Sequence, residues 1–96
     1  MYAVVIYDAS DAPSERRVVT HGQYASAAAA LAAAHEVIEA HLSLSLTAGL
    51  SAVDAYEEWR QSGDVPSIVA RAGAAPVQFD PFAFARTRAQ ELHRRA

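Results

Sequence analysis

The segment His35-Glu36-Val37-Ile38-Glu39-Ala40-His41 holds the side chains best suited to chemistry. On a helix, His35 and Glu39 stand four residues apart on one face, a spacing that can hold a divalent metal. His41 lies six residues from His35, roughly 240° around the helix, and cannot join that pair. A zinc-protease helix needs histidine at both ends of the four-residue spacing, and here the second position is glutamate. No other histidine completes a set. The segment therefore reads as a plain helix with His35 at the margin of a core, and no metal site is expected.

A second group consists of arginines near the C-terminus. Arg86, Arg88, Arg94 and Arg95 could each make bidentate contacts to a phosphate or carboxylate. Arg86 and Arg88 point roughly 200° apart on a helix, however, and Glu91 sits where an ion pair with Arg88 is expected. The stretch Tyr56 to Arg60 carries the single tryptophan, Trp59, close to the Gly63-Asp64-Val65-Pro66 turn. That is the composition of a binding hot spot, and equally of a small core needing one large side chain. Together, Asp64, Trp59, Arg86 and Arg88 form a candidate cleft for an anionic ligand.

Catalytic arrangements are weaker. None of the eight serines sits in a glycine-flanked strand-to-helix elbow, and four glycines write no phosphate-cradling loop. Glu57 and Glu58 are adjacent, so on a helix they diverge and cannot share a proton. With no cysteine, thiol nucleophiles, disulfides and zinc knuckles are excluded. No catalytic residue and no cofactor is expected, and the balance leans away from an enzyme.

These side chains must be positioned by a small body. The 96 residues fit a single domain, 1–96. Apolar residues make up 52% of the chain, but 23 of them are alanine, and Leu, Ile, Val and Phe together number only 21. A core this thin makes association with a partner chain valuable. No apolar run approaches the ~20 residues of a membrane span, and Tyr2 onward reads as a strand rather than a leader, so a soluble cytoplasmic protein is expected. Lysine is absent, which together with the alanine excess fits the coding bias of a GC-rich bacterial genome. Residues 1–64 carry nine acids against three arginines (−6), and residues 65–96 two acids against five (+3). That asymmetry favours self-association or an internal charge match over nucleic-acid binding, which wants a basic domain. Helix-turn-helix signals are missing, and the aromatics are not spaced for base stacking.

Tyr2–Tyr7 and Arg16–His21 are β-branched runs joined by a polar Asp/Ser/Pro loop, the pattern of an antiparallel hairpin ending at Gly22. Ser26 caps a long helix with Leu31, Ala34, Ile38 and Leu42 on one stripe. Over residues 43–48 the pattern fits either a helix end or an extended piece. Ser51 and Asp54 open a second helix with Val53, Tyr56 and Trp59 facing inward. Ser67–Ala70 reads as a third strand and Val77–Phe79 as a weak fourth. Asp80-Pro81 starts a last helix with Phe82, Ala85, Ala89 and Leu92 inward. The expected fold is α+β: a two-layer arrangement of a three- or four-stranded antiparallel sheet and three helices, in the order β-β-α-α-β-(β)-α.

The segments GDVPSIV (63–69) and FDPFAFARTRAQEL (79–92) resemble the C-terminal half of a set of short conserved-hypothetical bacterial proteins. That resemblance implies a compact α+β domain and no particular chemistry. It draws attention to Gly63, Asp64, Pro66, Phe79, Phe82, Phe84, Ala85 and Arg88. Phe82 and Phe84 stand where that set often has tryptophan and tyrosine, so polar handles are missing there. The first 45 residues are also similar in order to β-β-α antitoxin-type domains, without that group's proline-glycine-cysteine signature; this is an analogy of fold alone.

The first strand places Tyr2, Val4 and Ile6 on one face and Ala3, Val5 and Tyr7 on the other, so both faces are apolar. A strand with one wet face should alternate with polar residues. The leading expectation is thus a non-enzymatic interaction or structural module, a homodimer that buries Ala3, Val5 and Tyr7. The alternative is an anionic-ligand-binding or catalytic domain built around Asp64 and Arg88.

Overall fold

The central strand of the sheet is β1, Tyr2–Asp8, whose β-branched and aromatic residues suit a pleated surface with neighbours on both edges. It is flanked by β2, Val19–Tyr24, and β3, Asp64–Ala70, both antiparallel to it, giving the order β2-β1-β3. The computed structural model describes residues 1–95; Ala96, the last position of the expected 1–96 domain, lies outside them. Three helices complete the chain: α1, Ala27–Thr47; α2, Ala52–Ser62; and α3, Pro81–Arg95. The result is a mixed α+β domain in the order β-β-α-α-β-α. Its dimensions, 43 × 32 × 17 Å, are those of a two-layer slab.

The hairpin departs from expectation in register. Gly22 does not end β2 but lies inside it, opposite Val4, and His21 is the extra residue of a β-bulge between Val4 and Val5. The Tyr24 phenol lies across this glycine, where an added Cβ would come within 2.6 Å of its hydroxyl. The strand starts at Val19 rather than Arg16, because Pro13–Glu15 forms a single 3-10 turn that lengthens the loop. Strand β3 begins earlier than expected, at Asp64, and carries Pro66 on an edge strand, where a missing N–H is tolerated. The fourth strand does not form. Residues 71–80 are a loop that reverses at Ala72 and Gly73, both with positive φ, and Phe79 turns its ring toward His35 and Phe84.

Helix boundaries follow local chemistry. The Ser26 hydroxyl accepts from the Ala29 amide at 3.1 Å, and Ser51 does the same for Asp54. At α3 the Asp80 carboxylate accepts from both Phe82 and Ala83, ahead of Pro81 at the first helical position. Residues 43–47 are helical, and α1 stops where Gly49 adopts φ +99°, a conformation glycine reaches without strain.

Alanine governs the contact between layers. Ala30, Ala33 and Ala34 bring the first half of α1 against Val4, with Tyr2, Tyr24 and Ile68 around them. The second half places Ile38 and Leu42 into a larger cluster with Ala55, Trp59, Val65, Ala85 and Ala89. On α2 the inward residues are Ala55 and Trp59, whereas Val53 is 66% exposed. Six residues separate Val53 from Trp59, roughly 240°, so the two cannot share a face, and the larger side chain takes the core.

Trp59 has no exposed surface, and its indole N–H donates to the Asp64 carbonyl at 3.0 Å. Gly63 lets α2 turn directly into β3: a Cβ there would come 2.5 Å from the indole Cδ1 and 2.8 Å from the Trp59 carbonyl. Trp59→Ala is expected to cost about 3–5 kcal/mol. Gly63→Ala should cost about 1–3 kcal/mol through overpacking, although its φ suits any residue. Urea denaturation checks both; a Gly63→Ala midpoint equal to the wild type's would contradict the close packing.

Candidate functional site

The histidine and glutamate of the metal-like spacing are drawn in different directions. His35 stacks on Phe84, with ring centroids 4.0 Å apart and planes 4° from parallel, and also meets Phe79. Glu39 accepts a charge-assisted bond from Arg88 of α3 at 3.3 Å. Arg88 also reaches Glu91 at 3.6 Å, the ion pair its spacing predicts. This links α1 to α3 across 49 residues of sequence, beyond the reach of any local pattern. Among the described residues, no three His, Cys, Asp or Glu side chains gather as metal ligands.

The four residues expected to line one anion cleft are distributed over the molecule. Arg88 is occupied by its two glutamates and is largely shielded, with its Nε buried and lacking a partner. Trp59 belongs to the core. Asp64 lines a hollow of about 440 Å³ at the open end of the sheet, with Asp8, Asp11, Arg17 and His21 around Ile6 and Val19. Arg86 lines a different hollow, about 350 Å³, between α2 and α3. Its walls are Ala52, Val53 and Tyr56, with Glu57, Arg60 and Gln90 at the rim. The sequence carried one sign of it: Val53, Tyr56, Glu57 and Arg60 recur at helical spacing.

The residues expected at a subunit interface lie in the central strand. Ala3, paired with Gln23 on one side and Val69 on the other, has no exposed surface. Val5 is half-buried between the short side chains of Thr20 and Ser67. Tyr7, paired with Val65, adds to the edge of the larger cluster, and the Arg16 guanidinium covers its ring at 4.5 Å.

The remaining carboxylates serve local structure. Glu58 meets His41 at 3.3 Å and accepts from the Ser62 hydroxyl. Glu57 and Arg60 form a pair at 2.7 Å; the hydrogen bonds from Arg60 hold the Glu57 carboxyl below its usual value, and the same bonds raise the guanidinium. Asp8 is likewise lowered, by the Ser10 hydroxyl and then the Ser10 amide.

No family model matches the chain, and neither curated proteins nor solved structures yield a match. No described helix is long and apolar enough to cross a membrane.

A carboxyl lowered in the folded state stabilises the fold at pH above its unfolded value, and the contribution disappears as pH falls through the lowered folded value. At Asp8 and Glu57 the loss therefore comes on the acid side. In Ser10→Ala the Asp8 carboxyl should titrate at higher pH than in the wild type, followed by carbon NMR; an unchanged midpoint would remove the hydroxyl as the cause.

Proposed function

We propose that this protein is a small interaction module that associates with a second copy of itself through the sheet face turned away from the α1 contact. The observation that carries the reading is the makeup of that face. Val5, Thr20, Ser67 and Val69 are short side chains on that face, with the exposed Gln23 at its β2 margin, and Val69 is 38% exposed at the edge. Of the residues expected at an interface, Ala3 is already covered within the chain and Tyr7 packs on the larger cluster, which leaves Val5. Small apolar and hydroxyl groups make a flat surface, which suits the ~10 Å spacing of stacked sheets. Arg60 with Glu57, Arg88 with Glu39, His35 on Phe84 and Asp80 at the start of α3 are used in ion pairs, stacking and capping, as suits a structural or binding role for those side chains.

Light scattering across the micromolar range should give twice the monomer mass, and Val69→Glu should return it to the monomer mass with the helical circular dichroism retained. A wild-type monomer at every concentration would overturn the reading.

A further inference from the structure

We infer that the groove between α2 and α3 binds a small monocarboxylate with an aromatic or branched apolar body. The inference stands apart from self-association, since only helix residues line the groove.

The groove combines an apolar wall with one uncommitted cation. Its wall is Ala52, Val53 and Tyr56, and Val53 is an exposed large hydrophobic of α2, at 66%. Exposure of that size leaves apolar area for a ligand to cover, the usual source of affinity in such sites. The volume of about 350 Å³ suits a compact molecule rather than a nucleotide or a peptide helix.

The charges at the rim are unequal. Arg60 is neutralised by Glu57, which receives hydrogen bonds from both its Nε and its Nη2. Arg86 makes no ion pair among the described residues; its guanidinium carbon lies 5.5 Å from the centroid of the Tyr56 ring. Stacking occupies a guanidinium's face and leaves its in-plane N–H donors free for a carboxylate. Gln90 follows Arg86 by one helical turn on α3 and offers an amide donor to the second carboxylate oxygen. The groove thus carries one net positive charge, from two arginines and one glutamate, beside a hydrophobic wall. That selects a singly charged, amphiphilic anion over a cation or a neutral molecule.

The test uses benzoate as the probe, benzamide as its neutral analogue and inorganic phosphate as an anion without an apolar body, each titrated into the full chain labelled with nitrogen-15. Benzoate should produce saturable amide shifts confined to residues 52–60 of α2 and 86–90 of α3. A charged hydrogen bond at the site should make benzamide and the Arg86→Gln variant each about tenfold weaker. Val53→Ser should weaken benzoate while leaving its dependence on Arg86 intact. Absence of saturable shifts overturns the proposal, as does binding unchanged in Arg86→Gln. Phosphate binding as tightly as benzoate overturns the apolar half of it. Arg86 and Val53 are exposed, so both variants should keep the wild-type fold, and the same spectra report whether they do.

Discussion

The indole of Trp59 stands where α2, α3 and β3 meet, and much of the molecule is arranged around it. It packs against Phe82 of α3 and belongs to a cluster with Ile38 and Leu42 of α1, while its N–H is held by the backbone at the start of β3. In a chain with so many alanines, one side chain of this size supplies volume that the small residues cannot. A buried indole also needs a hydrogen-bond acceptor, and the Asp64 carbonyl meets that need. The acceptor is available because Gly63 allows helix and strand to join without a longer loop. Packing, turn and hydrogen bond are therefore one constraint.

A second link, Arg88 with Glu39 and Glu91, fixes how α3 lies on α1. Its geometry is that of a partly shielded ion pair, where the attraction is less screened than at an open surface. Beside it, His35, Phe79 and Phe84 form an aromatic group that closes the region between α1, the loop of residues 71–80 and α3. Side chains whose types invited a chemical reading are used here to lock two helices and a loop together.

What could be read in advance followed the range of each signal. The caps at Ser26, Ser51 and Asp80 depend on residues two or three positions away, and all three form. The alanine-rich stripe of α1 was legible because its period is local. Val77–Phe79 looked like a strand by residue type, but the loop there is tied back through the Tyr2 hydroxyl to the Ala75 carbonyl, a contact 73 residues apart. The alternation of Leu44 and Leu46 could not distinguish helix from extended chain; in the helix one is exposed and the other packed. Expected partners for an anion fell apart for the same reason: Asp64, Arg86 and Arg88 were grouped by composition, and only the folded path shows that Asp64 and Arg86 line separate hollows.

Both outer strands are poor templates for a further strand. Pro66 presents no amide donor on β3, and the extra residue at His21 disturbs the regular spacing of donors and acceptors along β2. A sheet interrupted at each margin resists lengthening sideways into a ribbon, the route by which alternating hydrophobic segments assemble into fibrils. The fold thereby keeps a strand as oily as Tyr2–Tyr7 at the centre of three, with its backbone satisfied on both sides and shielded from recruitment by unrelated chains.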